Sequence, residues 1–332
     1  MSKTRFDVVA LGNAIVDVIA PIDEAFISEW DIQRDAMSLI DEPRAEALTE
    51  ATNGEEHSGG SAANTAAGIA SFGGQAAYLG KVADDRLGGV FRTDMKAIGI
   101  PFDTSPLVGG PATARSIILV TPDGGRSMNT FLGATTMFSP EDVDEAMVRD
   151  SGIVYLEGYL FDREEAKASF VHAAEIARAA GRKVSLTLSD SFCVDRHRES
   201  FRDLIKNHVD ILFANEAELL SLYETDDFDA AVEALRADSP LAAVTRGEHG
   251  SVVIAEGQPR INVPAQPIDK VVDTTGAGDQ YAAGFLYGLS QNLSVETCAK
   301  LGHIAAAEVI SHYGPRPETS YAELAAEAGV DV

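Results

Sequence analysis

Val272-Asp273-Thr274-Thr275-Gly276-Ala277-Gly278-Asp279-Gln280-Tyr281-Ala282-Ala283-Gly284-Phe285 is the stretch on which the reading of this chain turns. Gly276 and Gly278 permit a bend whose backbone N–H groups face one side, and an apolar helix follows at once. A helix start with free amides is an anion site, and the missing side chains let a phosphate come close. Asp279 falls in the first helical turn. There the helix dipole is expected to hold its carboxylate ionised, ready to take a proton from an attacking alcohol. Donors for a migrating phosphoryl group and a base for its acceptor thus lie within a few residues of each other. Taken alone, the glycines could merely turn the chain and Asp279 merely cap the helix.

Two other strings tilt the balance. His57-Ser58-Gly59-Gly60-Ser61-Ala62-Ala63-Asn64-Thr65-Ala66-Ala67-Gly68-Ile69-Ala70-Ser71-Phe72-Gly73-Gly74 places a glycine pair ahead of a helix whose later turns are small and apolar. Close packing accounts for Ala66 to Ala70, and Ser61 could be an ordinary N-cap. Asn64 is not explained this way, because asparagine is a poor residue inside a helix. Gly12-Asn13-Ala14-Ile15-Val16-Asp17 follows the first strand, and open α/β sheets bind ligands off the C-terminal strand ends. Asn13 and Asp17 carry groups that suit vicinal sugar hydroxyls, although either could serve a turn instead. Competing motifs fail. Gly80-Lys81 runs into Val82, so no Walker A loop is present, and no G-x-G-x-x-G opens a helix after the first strand.

Short apolar runs alternate with helix-period stretches. Strands are predicted at Phe6–Leu11, Ala76–Leu79, Ile153–Leu156, Lys183–Leu188, Ile211–Phe213, Ala242–Thr245 and Ser251–Ile254. Helices are predicted at Ser61–Phe72, Val90–Ala97, Arg163–Ala180, Arg198–Lys206, Glu216–Tyr223 and Phe228–Ala237, then at Gly278–Ser290, Val295–Ser311 and Tyr321–Ala328. Strand, helix, strand with short links demands parallel pairing by right-handed crossovers, hence a layered α/β sheet. Two segments break the alternation, 14–39 and 102–130. Within the second, Ala112–Val120 and Arg126–Thr130 read as a hairpin. Both are taken as parts of a small β lid, which leaves 1–13, 40–101 and 131–332 as the main nucleotide-binding domain.

The totals exclude several classes. At 332 residues, with 45% hydrophobic and 23% charged side chains, the chain is an ordinary globular protein. Its formal charge of −26 repels phosphate backbones, so nucleic acid and anionic membrane are poor partners. The uncharged run Ser58–Gly80 is too rich in glycine, serine and asparagine to span a membrane. Cys193 and Cys298 stand far apart with no partner pattern, and Met1–Gly12 has no secretory pattern, so a cytoplasmic location is expected.

Together these strings resemble the ribokinase-like (PfkB) family of carbohydrate and nucleoside kinases, with Gly59–Gly74 similar to its N-terminal signature and Asp273–Phe285 to its C-terminal one. The likeness runs from Phe6 to about Pro317. It implies a three-layer α/β fold, with a mainly parallel central sheet flanked by helices and a small β-sheet lid. ATP and Mg²⁺ are the implied cosubstrate and cofactor, with a monovalent cation as an optional addition. The implied base is Asp279, with Gly276, Ala277 and Gly278 as anion hole and Arg126 as a lid arginine reaching the transferred phosphate. Asn215-Glu216-Ala217-Glu218 resembles an N-x-x-E motif in which Glu218 meets magnesium through water. Thr245-Arg246-Gly247 resembles a nucleotide-contacting loop, and Asn215, Thr245, Gly247, Thr275 and His303 are the implied nucleotide contacts.

Within the family the likeness leans towards members that phosphorylate adenosine, because of the Asn13–Asp17 spacing and the run Gly302–Ala307. Acceptor contacts are then expected at Asn13, Asp17, Gly60, Ser61, Asn64 and Tyr159. A sugar such as ribose or fructose, inosine or guanosine is the alternative acceptor, and a non-catalytic nucleoside-binding protein a remote one. Either a monomer or a homodimer is compatible. Three residues depart from the pattern: Glu157 and Asp190 are unusual charges, and Leu160 interrupts an expected aromatic pair.

Overall fold

The computed structural model describes residues 4–330. Among the described residues, thirteen strands form two sheets. In chain order they are β1 (Phe6–Leu11), β2 (Ile15–Pro21), β3 (Met37–Leu39), β4 (Glu55–Gly59), β5 (Ala76–Leu79), β6 (Ala114–Val120), β7 (Arg126–Phe131), β8 (Ser151–Glu157), β9 (Lys183–Thr187), β10 (Ile211–Asn215), β11 (Leu241–Thr245), β12 (Ser251–Ala255) and β13 (Ile261–Val263). The large sheet runs β13-β12-β11-β10-β9-β8-β1-β5. All its pairings are parallel except β11/β12 and β12/β13 at one edge. Near-continuous burial along β1 and β8 is what a strand covered on both faces requires.

One face of this sheet packs on the helices Ser61–Ser71, Ala277–Ser290 and Val295–Val309. Small residues set the spacing. A Cβ on Gly68 would stand 2.1 Å from Gln280 Oε1 and 2.6 Å from Ala283 Cβ, so the Ser61–Ser71 and Ala277–Ser290 helices lie nearly backbone to backbone. That approach brings the two diagnostic strings of the sequence together. The opposite face is covered by Glu164–Ala179, Ser191–His208 and their neighbours.

The second sheet runs β3-β7-β6-β2-β4. Its membership differs from the expected lid of 14–39 and 102–130. β4 lies in a segment assigned to the main domain, yet it pairs antiparallel with β2. Its sequence, Glu55-Glu56-His57-Ser58-Gly59, is too polar to read as a strand, because only Ser58 and Gly59 are buried. The helix Glu42–Thr52 also belongs with this sheet, putting Ala45 and Leu48 against Val18, Ala20, Ile117 and Leu119. Conversely, Phe102 packs against Tyr78 and Phe91 in the main core. The segment 14–39 contains a short helix, Glu24–Glu29, between its strands.

Among the described residues no helix is long and apolar enough to cross a membrane. Cys193 and Cys298 are both buried, with the Cys193 thiol on the Gly158 carbonyl at 3.3 Å. Phe285 is fully buried and meets Phe213 edge-on, with ring centroids 5.4 Å apart. Phe285→Ala should therefore cost about 3–5 kcal/mol of unfolding free energy, measurable in urea. A loss below about 1 kcal/mol would contradict this packing.

Candidate active site

The cleft lies at the C-terminal ends of the parallel strands, where open α/β sheets bind their ligands. Ends of β8, β9, β10 and β11 form its floor at Glu157, Thr187, Asn215 and Thr245, and the second sheet roofs it with Ile15, Met37, Leu39, Ile118 and Met128. The enclosed volume is about 840 Å³, in the upper range for small-molecule sites.

At one end stands the glycine bend. Gly276 has φ +79°, and a Cβ there would meet Pro315 Cα at 2.7 Å, so both conformation and crowding require glycine. The helical ladder begins with Gln280 N–H on Gly276 O at 2.9 Å, while Ala277 N–H turns back to Thr274 O at 3.2 Å. The amides of Gly278 and Asp279 thus lie ahead of the ladder and beside the cleft. Thr274, Thr275, Gly276, Ala277 and Gly278 all line it.

Asp273, which the sequence reading passed over, ties this bend down. Its Oδ1 accepts from Thr275 N–H (3.1 Å) and Thr275 Oγ1 (2.8 Å), and its Oδ2 from Gly314 N–H (3.0 Å). It also pairs with Arg126, whose guanidinium lies over the Tyr313 ring at 5.1 Å. Arg126 is therefore a clasp between lid hairpin and bend, and it is not part of the cavity lining.

Asp279 accepts from Ser61 Oγ at 2.6 Å on Oδ1 and from Asn64 Nδ2 at 3.2 Å on Oδ2. These contacts explain both residues. Gly60 occupies the cap position of the Ser61–Ser71 helix, so Ser61 is not an N-cap, and Asn64 sits inside that helix to reach the carboxylate. The dipole expectation needs correction. Burial raises the Asp279 pKa to about 6, and the hydrogen bonds from Ser61 and Asn64 only partly oppose it. The cause is quantitative: moving the group from 3.8 to about 6 corresponds to about 3 kcal/mol, against about 0.3–1 kcal/mol for a helix dipole.

Farther into the acceptor end, Gly60 has φ +92° and approaches so closely that a Cβ would stand 2.2 Å from Asn13 O. Asn13 lines the cavity, but its amide is engaged internally. Its N–H and Nδ2 donate to Glu157 Oε1 at 3.2 and 2.8 Å, and Thr135 Oγ1 donates to its Oδ1. Glu157 Oε2 accepts from Ala62 N–H at 2.8 Å. The unusual acid thus binds the end of β1 to the Ser61–Ser71 helix. Burial lifts Glu157 to about 7, with these hydrogen bonds opposing.

Asp17 rises to about 7 by burial, opposed by the charges of Arg316 and Arg126. Among the described residues no hydrogen bond or ion pair ties up the Asp17 carboxylate, which lines the cavity. Tyr159 lines the cavity and donates its hydroxyl to Ser189 O at 3.2 Å. Leu160 points into the main core, and Asp190 caps the Ser191–His208 helix, accepting from Cys193 N–H at 2.6 Å. All three departures from the expected pattern therefore have structural causes.

At the nucleotide end, Asn215 and Glu218 form a reciprocal cap. Glu218 N–H donates to Asn215 Oδ1 (2.9 Å), while Asn215 N–H and Nδ2 donate to the Glu218 carboxylate (2.9 and 2.6 Å). Glu218 is buried, faces the cavity and is raised to about 7 by that burial. Gly247 takes φ +56° in the turn after Thr245.

His303 is a correction. It lies outside the cavity lining, with Nε2 bonded to Ser251 Oγ at 2.9 Å behind Tyr281, and burial lowers it to about 4. Among the described residues no group of three or more His, Cys, Asp or Glu is placed to hold a metal by itself. The oxygen donors that line this part of the cavity, the Glu218 carboxylate among them, are chemically suited to a hard divalent cation.

Arg316 and Gln280 are further site residues that the sequence reading missed. Arg316 Nε donates to Asn64 Oδ1 at 3.3 Å, and Gln280 Nε2 bridges the carbonyls of Asn64 (3.0 Å) and Pro315 (2.8 Å). Arg316 belongs to no recognisable pattern, whereas Gln280 lies inside the glycine–acid string itself. Gln280 follows Asp279 directly, and a polar residue on an otherwise apolar helix was the available signal.

A lidded α/β layer with an amide-rich helix tip beside a buried carboxylate defines an enzyme of the phosphoryl-transfer class. Comparison specifies the class: the pfkB family carbohydrate kinase model matches residues 12–320, and the chain belongs to that family. It is 53% identical to the adenosine kinase of Sinorhizobium meliloti, with a TM-score of 0.90 over 98% of this chain and 99% of that one. It is 52% identical to a probable sugar kinase protein of Rhizobium etli CFN 42, with a TM-score of 0.91 over 99% and 100%. The adenosine kinase of Saccharomyces cerevisiae is 25% identical, covering 92% of this chain and 95% of its own.

Glu157→Gln replaces one accepting oxygen with an NH₂ that must face a donor. The variant should lose about 1–3 kcal/mol of stability and show a raised KM for the acceptor, read by urea unfolding and initial rates. Unchanged stability and KM would remove Glu157 from the supports of Asn13.

Proposed function

We propose that this protein transfers the γ-phosphoryl group of ATP to the 5′-hydroxyl of adenosine, giving AMP and ADP. The observation that carries the reading is the placement of Asp279. It is gripped by Ser61 and Asn64 between the glycine bend at one end of the cleft and the acceptor pocket at the other. An alcohol beside that carboxylate and a phosphate on the bend would be joined in line. The lid wall favours a nucleoside over a small sugar. Met37, Leu39, Ile118, Met128 and Leu132 form an apolar roof that suits the flat face of a base. The likeness to the Sinorhizobium meliloti adenosine kinase supports the same choice.

In this reading Asp17 binds the ribose hydroxyls, with Asn13, Gly60 and Tyr159 shaping the pocket around it. Asp279 takes the proton of the 5′-hydroxyl as its oxygen attacks the γ-phosphorus. The oxygen–phosphorus bond to ADP breaks, and the amides left free at the Gly276–Gly278 bend, those of Gly278 and Asp279, stabilise the charge on the migrating group. Asn215, Thr245 and Thr275 line the nucleotide side, and Gly247 sits in the turn just after Thr245. Glu218 would hold Mg²⁺ through water, and that ion would neutralise phosphate charge. Arg126 contributes by holding lid and bend together through Asp273.

Asp279→Asn should lower kcat by about 10²–10⁴-fold in a folded protein, the usual worth of a positioned base. Because only the ionised carboxylate accepts a proton, wild-type activity should rise with pH through about 6 and this limb should vanish in the variant. Near-normal turnover of the variant would remove Asp279 from the chemistry. In a panel of adenosine, inosine, guanosine, ribose and fructose, ADP release should be fastest with adenosine. Turnover of a sugar with none of adenosine would overturn the acceptor assignment.

A further inference from the structure

The grip on Asp279 depends on which way the Asn64 amide faces. An asparagine side chain carries a carbonyl oxygen at one end and an NH₂ at the other, and a rotation of about 180° exchanges them. Only the NH₂ can donate to a carboxylate. If the oxygen faced Asp279 instead, it would repel the ionised form and favour the protonated one.

Arg316 settles the choice. Its Nε lies 3.3 Å from Asn64 Oδ1, on the side away from Asp279, and a guanidinium has donors only. We infer that Arg316 is a positioning residue, a donor that fixes Asn64 Oδ1 and thereby obliges Nδ2 to serve the Asp279 carboxylate. The inference rests on Asp279 as the base of the proposed reaction.

The local structure favours such a role. Arg316 stands between Pro315 and Pro317, whose rings restrict the backbone. Gln280 Nε2 holds both the Pro315 and the Asn64 carbonyls, at 2.8 and 3.0 Å, so the arginine's backbone and its target share one anchor. Arg316 Nη2 rests near Met95 Sδ at 3.9 Å, and its charge faces Asp17 and Asp94. A donor held this way loses little freedom on bonding, because the chain has already ordered it.

Other charges bear on Asp279 too. Asp17, Glu157 and Tyr159 share the cleft lining with it and Tyr155 couples to it from the core beneath, while Arg316 and Arg126 supply positive charge to Asp17. Loss of Arg316 would alter that field directly, so the test must separate field from amide orientation.

The experiment is the pH dependence of kcat/KM for adenosine at saturating ATP and Mg²⁺, with melting curves to check folding. In Arg316→Met the acidic limb should move up by about one pH unit, since a charged acceptor loses one donor and meets a carbonyl. Arg316→Lys, again donor-only, should restore most of it. In an Asn64→Ala background, Arg316→Met should leave the limb where Asn64→Ala puts it. Should Arg316→Met fail to fold, Arg316→Ala carries the same test, because it removes every donor to Asn64 Oδ1 and adds no polar group.

An unmoved limb in folded Arg316→Met, or an equal displacement in the Asn64→Ala background, would overturn the inference. Failure of the base assignment itself would look different: the acidic limb would survive in Asp279→Asn.

Discussion

Everything in this enzyme's cleft depends on two helices approaching each other closely enough for Ser61 and Asn64 of one to hold Asp279 of the other. Only small residues allow it. Gly68 opposite Gln280 and Ala283, with the alanines around it, brings the backbones together. The packing and the chemistry are one arrangement, because a bulkier side chain at Gly68 would push the carboxylate away from its donors. The same approach lets Gln280 reach the Asn64 carbonyl, locking the helices at the level of Asp279.

Burial is the second constraint, and it explains why the site needs so many donors. Asp17, Glu157, Glu218 and Asp279 are all raised towards neutrality by desolvation, in a chain whose formal charge is −26. For each of these carboxyls the folded pKa lies above its unfolded value. The protonated forms therefore favour folding at mildly acid pH, and that contribution is lost as pH rises towards 7. Stability is given up so that acids with near-neutral proton affinity can line a cleft. Hydrogen bonds from Asn13, Ala62, Ser61, Asn64 and Asn215 limit that cost.

The parallel sheet was legible because its strands are apolar on both faces and its crossovers are regular. β1, β5 and the helix Glu216–Tyr223 lie where the pattern placed them. β4 was not legible, since an edge strand of Glu55, Glu56 and His57 offers no apolar alternation. The bend and Asp279 were legible as glycine chemistry next to an acid. The protonation state of Asp279 was not, because burial is a property of the assembled fold and outweighs the local dipole. The Arg126–Asp273 pair and the Arg316–Asn64 contact join residues distant in sequence, and no local pattern announces such pairs. His303 was placed by resemblance alone, and its buried contact with Ser251 shows the limit of that route.

The most direct test of the account is a crystal structure with adenosine and a non-hydrolysable ATP analogue bound. The account predicts the 5′-hydroxyl within about 3 Å of an Asp279 oxygen, with Ser61 and Asn64 still on that carboxylate and the terminal phosphate against the free amides of the glycine bend. An acceptor hydroxyl beside another acid, with Asp279 out of reach, would contradict it.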